Sequence, residues 1–440
     1  MSAAALRVAI IGSGISGLAA AHALEGQVDI TLFEAGNYFG GHTHTVDITL
    51  PTAQGPVSHG VDTGFLVFNE RTYPELISLF AQLGVATARS DMSFSVKAPV
   101  SADGDVLEWS GSSLNSVFAQ RRNLVSWKFL RMLRDIVRFN RVTTELATSG
   151  AEAAMVQPLA DFLRAQNFSD EFRDWYFLPM MGCIWSCPTD QMLQFPVATM
   201  IRFCHNHGLI QITDRPQWWT VQGGARHYVE KIVQRIADKR LSTPVYRIER
   251  DALATRGGVR VVSASGTEIF DKVVLAAHSD QSLALLPGAS AEERAVLGAV
   301  RFQPNHAVLH TDASVLPKKK LAWAAWNYER AAQTARESSR VCLHYLLNLL
   351  QPLPFSQPVL VSLNPLQEIE RKYIMGEYDY MHPVFDLAAI QAQRELPALQ
   401  GLHHSYFCGA WTAYGFHEDG LKSGLQAARL LLAQHAGSAA

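Results

Sequence analysis

The first forty residues alternate between short apolar runs and small-residue segments, and this pattern predicts a strand, a helix and a second strand. Val8–Ile11 is a β-branched apolar run of the kind found in buried parallel strands. Leu18–Leu24 has the composition of a helix, and Ile30–Phe33 is another apolar run of strand length. Strand, helix and strand in this order predict an α/β protein.

The rest of the chain predicts further short strands around stretches with helical periodicity. A strand is predicted around Asp62–Phe68, followed by an amphipathic helix from Tyr73. Residues from about Ser90 to Arg215 carry mainly helix-like runs, with hairpin material near Ser101–Trp109. Further elements are predicted at Pro244–Glu249, Gly258–Ser263, Thr267–Phe270, Val273–Ala277 and Tyr406–Gly409, all strands, and in a last helix starting near Gly420.

Composition is that of an ordinary globular protein, with 48% apolar and 18% charged residues and a formal net charge of -2. This balance gives no global indication of nucleic-acid binding, so we expect no nucleic-acid partner. We recognise no secretory leader, and no apolar run approaches the ~20 residues that cross a bilayer. The five scattered cysteines do not suggest a disulfide framework. We therefore expect a cytoplasmic protein that could lie peripherally at the inner face of the cell membrane.

Gly12, Gly14 and Gly17 follow the first strand with G-x-G-x-x-G spacing. The first permits a tight turn, the second lets the backbone approach a pyrophosphate, and the third lets the helix pack on the strand. The helix N-terminus adds free N–H groups and the positive end of its dipole. Glu34 ends the second strand, where an acid would bind a ribose 2′-hydroxyl and disfavour a 2′-phosphate. The sequence therefore predicts a dinucleotide site, with NAD and FAD both open.

The segment "EAGNYFGGHTHT" resembles the extended motif of the flavin-containing amine oxidase and phytoene desaturase superfamily. Gly40 and Gly41 match its glycine pair, and His42 stands where many members have arginine. Near the C-terminus, "GAWTAYGFHEDG" resembles the superfamily's second FAD motif, although Ala410 replaces a glutamate found in many amine oxidases. The resemblance implies FAD as cofactor and a Rossmann-like FAD-binding domain of the GR2, amine oxidase-like type, with an inserted α+β substrate domain.

The resemblance also implies how the chain is divided. Residues 1–90, 216–300 and 386–440 would form the FAD-binding domain. Residues 91–215 would form a helical substrate or cap region, and 301–385 the second part of the substrate domain.

Candidate site residues follow from the same motifs. The cofactor-binding candidates are Gly12, Ser13, Gly14, Ile15, Ser16, Gly17, Glu34, Ala35, Gly40, Gly41, His42, Gly64, Phe65, Val245, Gly409, Ala410, Gly415, Phe416, Gly420 and Leu421. The catalytic candidates are His417, Tyr414 and His382. For the two histidines the reason is that imidazole can act as acid or base near neutral pH. A purely structural role in a turn or in the core remains open for each. A lysine like the one that amine oxidases often hold near the flavin is not identified.

The segment Arg121–Val142 carries seven basic residues and one acid. Within it Arg131, Arg134, Arg138 and Arg141 recur at helical spacing and share one face. A basic amphipathic helix of this kind can bind an anionic membrane surface. The alternative is a solvated face that covers the core with arginine stems.

"GCIWSCP" contains Cys183 and Cys187, and Cys204, His205 and His207 lie downstream. Cysteines followed by histidines can hold zinc, but this spacing does not match a familiar zinc module. We therefore predict no metal site.

Segments along nearly the whole chain, among them "WTVQGGARHYVEKI", "MHPVFD" and "GFHEDGLKSG", resemble one bacterial subgroup of the superfamily. Its members are associated with cyclopropane-type lipid methyltransferases and with desaturation of unsaturated fatty acids. The resemblance implies an FAD-dependent desaturase or dehydrogenase of acyl chains in phospholipid, with a lipid methyltransferase as a possible partner. The alternatives are an amine oxidase, a flavin-dependent double-bond isomerase, and a flavoprotein that acts as a methyltransferase partner.

Overall fold

The computed structural model describes residues 6–100, 105–151, 157–185, 192–210, 216–250, 258–330 and 341–439. Its strands are β1 (Arg7–Ile11), β2 (Asp29–Phe33), β3 (Thr45–Thr52), β4 (Gly55–Asp62), β5 (Phe68–Asn69), β6 (Thr87–Ser90), β7 (Phe94–Pro99), β8 (Val106–Ser110), β9 (Trp218–Val221), β10 (Asp238–Arg240), β11 (Val245–Glu249), β12 (Val259–Ser263), β13 (Gly266–Phe270), β14 (Lys272–Leu275), β15 (Arg301–His310), β16 (Trp326–Glu329), β17 (Cys342–Leu346), β18 (Leu360–Leu363), β19 (Ile374–Val384) and β20 (Ser405–Phe407). Its α-helices are α1 (Ile15–Leu24), α2 (Pro74–Leu83), α3 (Leu114–Val117), α4 (Trp127–Ser149), α5 (Leu159–Ala165), α6 (Asp170–Phe172), α7 (Leu178–Trp185), α8 (Val197–Asn206), α9 (Arg226–Val233), α10 (Ser279–Ala284), α11 (Ala291–Ala299), α12 (Leu347–Leu350), α13 (Leu387–Glu395) and α14 (His417–Ala439).

A five-stranded parallel sheet, in the order β10-β2-β1-β14-β20, forms the first layer of the molecule. Its strands come from widely separated parts of the chain, and its centre is fully apolar, with Val8, Ala9 and Ile10 wholly buried. Helices α1 and α14 pack against each other beside it. A parallel sheet with helices on its faces is the Rossmann-like α/β fold that the sequence predicts.

A seven-stranded mixed sheet, in the order β19-β15-β18-β17-β16-β7-β8, forms the second large unit. All its neighbouring pairs are antiparallel except β16 with β7. Helical segments between α4 and α8 pack beside it, which gives this unit its α+β character. The sequence indicated this unit only as the two segments 91–215 and 301–385, without its strand order, because its strands pair across long chain distances.

Two sequence predictions are wrong in detail. The strand predicted around Asp62–Phe68 is instead the end of β4, a turn, and the short strand β5. The chain turns there because it lies against His42: a Cβ on Gly64 would come 2.2 Å from the His42 carbonyl oxygen, which also accepts the Phe65 N–H at 2.8 Å. The last helix begins at His417, earlier than the predicted Gly420.

The hairpin predicted near Ser101–Trp109 lies partly outside the described residues, but the strands that flank it, β7 and β8, pair antiparallel. None of the helices in the described part of the chain combines the length and the apolar character needed to cross a bilayer.

Candidate active site

The turn between β1 and α1 presents backbone rather than side chains to a large cavity. Gly12 has a φ of +102°, and a Cβ there would lie 2.8 Å from the Ala276 carbonyl oxygen. A Cβ on Gly17 would lie 2.0 Å from the Gly12 carbonyl oxygen. Around Gly14, by contrast, no heavy atom lies within 4 Å of an added Cβ, and no side chain caps α1. The N-terminus of α1 therefore opens onto free space, and this fits a pyrophosphate.

Glu34 lies at the end of β2 with its carboxylate held by backbone. Its Oε2 accepts the Ser13 N–H at 3.0 Å, and its Oε1 accepts the Gly36 N–H at 2.7 Å. The Ser13 hydroxyl in turn accepts the Gly40 N–H at 3.1 Å, so that the two glycine loops are tied together. Glu34 also lines the cavity. A carboxylate fixed in this way has lone pairs left for sugar hydroxyls.

The second glycine loop closes over the first. Gly41 has a φ of +59°, and a Cβ on it would lie 3.1 Å from the Cα of Gly14. His42 follows directly, and its Nε2 is buried without a hydrogen-bond partner in the described residues. An imidazole nitrogen left free beside a helix N-terminus suits an anionic group in the cavity.

One cavity of about 740 Å³ runs from this cradle into the second unit. Predicted cofactor-binding residues that line it are Gly12, Ser13, Gly14, Ile15, Ser16, Glu34, Ala35, Gly40, Gly41, His42, Gly64, Phe65, Val245, Gly409, Ala410, Gly415 and Phe416. Gly17, Gly420 and Leu421 do not line it. Gly17 packs against Gly12 and Ala276, and a Cβ on Gly420 of α14 would come 2.7 Å from Ile15 Cγ2 of α1.

The three catalytic candidates all line the cavity. His417 stacks on Phe65 with ring centroids 3.8 Å apart, and its Nε2 lies 2.7 Å from the Tyr228 hydroxyl and 3.2 Å from Thr43 Oγ1. Burial lowers the pKa of His417 to about 3, so the ring stays neutral. These contacts fix the His417 ring in the cavity wall, where it packs against Phe65.

His382 lies on β19, where its Nδ1 receives the Asn305 side-chain N–H at 3.1 Å. Its ring lies 5.6 Å from that of His42, and burial, with His278 as a further neighbour, lowers the pKa of His382 to about 4. Tyr414 is half-buried, and burial raises its pKa. Both side chains are therefore neutral at physiological pH.

The sequence did not single out the side chains at the far end of the cavity. Trp326 and Tyr345, paired across β16 and β17 with ring centroids 4.9 Å apart, both line it. Trp185, Phe203 and Leu209 come from the helical region, where no local motif marks them. The sequence places Trp323 and Trp326 in the segment Leu321–Arg330 and Trp218 and Trp219 in Arg215–Gly224, but tryptophans occur as often in cores as in pockets.

His207 also lines this end, stacked on Phe203 with ring centroids 4.0 Å apart. It donates from Nδ1 to the Phe203 carbonyl oxygen at 3.0 Å, and burial lowers its pKa to about 4. Cys183 and Cys204 are free, buried thiols, and Cys187 lies outside the described residues. In the described part of the chain, the group of side chains close enough to share a metal ion is Glu329, Cys342 and His344, which are not the residues considered from sequence.

The predicted basic stripe lies on α4, but the structure splits it. Arg131 pairs with the carboxylate of Glu171. Arg138 lies over the Phe168 ring, 4.1 Å from its centroid. Arg134 is exposed and pairs with Asp135 of the same helix at 3.0 Å, and Arg141 is exposed. Two of the four arginines therefore hold the helix to its neighbours, and two face outward.

The sequence model described as flavin containing amine oxidoreductase matches residues 15–320. No curated protein is a significant sequence match. Among solved structures, cyclohexylamine oxidase from Brevibacterium oxydans IH-35A is similar with a TM-score of 0.67 and 18% identity, covering 98% of this chain and 100% of that one. A CLA-producing fatty acid isomerase from P. acnes is similar with a TM-score of 0.65 and 16% identity, covering 97% and 98%. Putrescine oxidase bound to putrescine has a TM-score of 0.64 and 15% identity, covering 97% and 99%.

Proposed function

Because the chain belongs to the flavin-containing amine oxidoreductase family, with FAD as its cofactor, we propose that it is an oxidoreductase that dehydrogenates an unsaturated acyl chain. The cofactor, when bound, supplies a two-electron acceptor for a hydride. The proposal concerns the substrate, because the family includes enzymes with different substrates.

The observation that carries the proposal is the lack of charge at the substrate end of the cavity. Among the described lining residues Glu34 is the one acid, and it lies at the nucleotide end; lysine, arginine and aspartate are absent from them. A buried ammonium without a carboxylate partner is costly. The remaining walls are mainly apolar and aromatic, with Trp185, Phe203 and Trp326 among them. Such a surface suits a hydrocarbon chain.

Two indole groups add a second argument. The Nε1 atoms of Trp185 and Trp326 are buried without hydrogen-bond partners in the described residues, and both side chains line the cavity. An N–H group can bind an acceptor, such as an ester or carboxylate oxygen, but not the N–H groups of an ammonium. Acyl substrates carry acceptors of this kind.

The protein's own part in the reaction is to hold the acyl chain in place, to exclude water and to stabilise charge. The apolar walls keep water from the reacting carbon. Helix α14 begins at His417 on the cavity wall, so its N-terminus favours negative charge in that part of the cavity. His207 keeps an unprotonated Nε2 at the substrate end when its Nδ1 donates to Phe203, and is thereby a candidate for taking the proton.

The test is anaerobic mixing of the purified yellow protein with two panels, unsaturated phospholipids in vesicles and simple amines. Bleaching of the oxidised flavin band by lipid alone would support the proposal. Bleaching by amines alone would overturn it in favour of an amine oxidase. Conversion of a double bond without net oxidation would instead identify an isomerase, the activity named for one of the structural neighbours.

A variant sharpens this test. Replacing Trp326 by Phe keeps the ring but removes the free N–H, so KM for an acyl ester should rise about tenfold while kcat changes less. Trp219→Phe is the matched control, because Trp219 is absent from the described cavity lining and its indole donates to Glu70 at 3.0 Å. An unchanged KM in Trp326→Phe would contradict the assigned role of the indole.

A further inference from the structure

Large apolar side chains are exposed where α3, the following turn and the start of α4 meet solvent. Five of them form what we call the apolar tip: Leu114, Leu124, Val125, Trp127 and Leu130. Val125 is 87% exposed, Leu114 80% and Trp127 69%. Exposed apolar residues that occur singly need no explanation, but a group of this size marks an interaction surface.

The apolar tip is held in this exposed position by its own hydrogen bonds. Ser113 and Ser116 form a capping box at the start of α3. The Gln120 side chain donates to the Val106 carbonyl oxygen at 2.9 Å, and the Arg121 guanidinium donates to the Phe118 carbonyl oxygen at 2.8 Å. These contacts fix the backbone, so the apolar side chains cannot turn inward without breaking them.

A second segment, distant in sequence, places further exposed apolar and basic side chains beside the apolar tip. The short helical turn Lys320–Ala322 packs against α3 and β8. Its exposed Leu321 follows Lys318–Lys320, all three exposed. The Lys318 and Lys319 N–H groups donate to the buried Glu108 carboxylate at 2.8 and 2.9 Å, so this segment too is anchored through its backbone.

Basic side chains predominate around the apolar tip. From Leu114 to Arg134 the chain carries five basic residues, which are Arg121, Arg122, Lys128, Arg131 and Arg134, and no acid. Three further lysines come from the second segment. Arg122 pairs with Asp105 at 2.8 Å, Arg131 with Glu171, and Arg134 with Asp135 at 3.0 Å. The exposed Lys128 and the three lysines have no salt-bridge partner in the described residues.

We propose that the apolar tip, with Leu321 and the surrounding lysines and arginines, docks the protein on an anionic lipid membrane. Apolar and tryptophan side chains would enter the boundary between headgroups and acyl chains, while the basic side chains contact the headgroups. A second copy of this chain is a poor occupant, because a two-fold contact would bring the same basic residues face to face.

The position of the surface agrees with an acyl substrate. Helix α8 packs against α4 and supplies Phe203 to the substrate end of the cavity, so a single helix lies between the membrane-facing helix and the substrate. This agreement rests on the proposed function, but the docking surface itself does not, and vesicle binding can be measured without turnover.

The experiment is flotation of the FAD-loaded protein with vesicles of phosphatidylglycerol and phosphatidylcholine, compared with phosphatidylcholine alone. We expect binding to the anionic vesicles only, and weakening as salt rises. Replacing Val125 and Trp127 together by Asp should lower the partition coefficient at least tenfold. Each of Lys128→Gln, Lys319→Gln and Lys320→Gln should lower it about fivefold. Leu387→Asp, which changes a residue 58% exposed on α13, is the matched control and should bind as the parent does.

Equal binding by the parent and by the Val125/Trp127 variant would overturn the proposal. So would absence of binding to anionic vesicles, and so would a dimer in solution that the same substitutions dissolve. Failure of vesicle binding with flavin still bleached by detergent-dispersed fatty acid would reject the docking surface and leave the proposed function standing. The reverse result would reject the function alone.

Discussion

At the scale of single residues, histidine is the most frequent titratable side chain in the cavity wall. His42, His207, His278, His382 and His417 all line it, and burial lowers the pKa of each one. An imidazole kept neutral in this way can gain a proton when an anion arrives beside it. His42 is best placed for this, because its Nε2 has no partner in the described residues and its neighbour Gly41 lies against Gly14.

We therefore predict that FAD binding depends on pH through His42. Burial, with His382, His278 and His417 as neighbours of the same sign when charged, lowers the pKa of His42 to about 3, and Tyr380 is the other ring packed on it. A bound pyrophosphate would raise this pKa, so binding should take up protons and FAD affinity should increase as pH falls below about 6. Titration calorimetry in buffers of different ionisation enthalpy measures the uptake.

Two variants check the role of His42. His42→Leu should bind FAD about tenfold more weakly and lose most of the proton uptake, whereas His42→Arg should keep the affinity without the uptake. His59→Gln, away from the described cavity lining, serves as control. Identical proton uptake in parent and His42→Leu would contradict the prediction.

Residue roles could be predicted where they depend on neighbours in sequence. Gly14 and Glu34 were found because one turn and one strand fix their positions relative to each other. The contact of Trp326 with Tyr345 could not be predicted, because they meet only through the pairing of β16 with β17. His207 was considered for zinc, but its place beside Phe203 and Phe416 depends on how α8 packs against the second FAD motif.

At the scale of elements, the cradle depends on close contact between α1 and α14. A Cβ on Gly424 of α14 would lie 2.0 Å from the Ser16 carbonyl oxygen and 2.9 Å from the Cβ of Ala19. Gly424→Ala should therefore push the helices apart, lower the free energy of unfolding by about 2 kcal/mol or more, and reduce FAD retention, because Ser16 lines the cavity. Denaturant unfolding and flavin content measure the two effects.

The matched control for this substitution is Gly298→Ala in α11. There an added Cβ would meet nothing closer than Leu283 Cδ2, at 3.7 Å. The change should be neutral or stabilising by up to about 1 kcal/mol, since alanine favours helix more than glycine does. Equal loss of unfolding free energy in both variants would show that the close contact of α1 with α14 does not explain the effect of Gly424→Ala.

The mixed sheet separates the cavity from a buried polar chain on its other face. Residues that alternate along a strand face opposite sides, so Tyr345 faces the cavity and His344 faces away. Ser362 Oγ lies 2.6 Å from His344 Nδ1 and 2.6 Å from His310 Nε2, and His344 Nε2 lies 3.0 Å from Glu329. The Asp312 N–H donates to His310 Nδ1, so His310 Nε2 donates to Ser362. Burial lowers the pKa of His344, but Cys342 and Glu329 raise it to about 9, so the protonated ring donates to both Ser362 and Glu329.

Ser362→Ala should consequently leave two buried imidazole nitrogens without partners. We predict a loss of about 3 kcal/mol in the free energy of unfolding, with FAD binding unchanged, because the cavity is on the opposite face. Ser95→Ala is a milder comparison: Ser95 donates to Asn327 Oδ1 at 2.8 Å, and that oxygen keeps the Ala324 N–H. A Ser362→Ala loss no larger than that of Ser95→Ala would argue against the two imidazole hydrogen bonds to Ser362.

At the scale of the whole molecule, the sequence predicted the α/β class but not how its two units meet. Asp62, fully buried at the end of β4, accepts the Ala225 N–H at 2.9 Å and the Gln351 side-chain N–H at 2.7 Å. One carboxylate thus joins the β3–β4 hairpin, the start of α9 and the second unit. These three segments lie far apart in the chain, and local patterns carry no information about their contact.

The buried histidines also determine how the free energy of unfolding of the whole molecule should change with pH. Burial lowers the pKa of His42 and His417 to about 3, and of His207 and His382 to about 4, whereas in the unfolded chain each would titrate near 6.5. The unfolded state therefore binds more protons as pH falls below 6.5, and stability that is present above that pH is lost. Burial raises the pKa of Asp62 and Asp419 to about 6, which has the opposite sign below pH 6.

Burial also lowers the pKa of His310 to about 4, whereas Cys342 and Glu329 raise that of His344 to about 9, and these two contributions have opposite signs and nearly cancel. Adding the other four histidines and subtracting the two carboxyl groups, we expect the free energy of unfolding to fall by about 4 kcal/mol between pH 7.5 and 5.5. Denaturant unfolding of the FAD-free protein at several pH values measures this slope, because bound FAD would raise the pKa of His42. His207→Phe should reduce the fall by about 1.4 kcal/mol, since it removes one proton-binding group from the unfolded chain. Replacing the exposed His435 by Gln is the control and should leave the fall as large as in the parent. A stability that rises on acidification would mean that the buried histidines are charged in the folded protein.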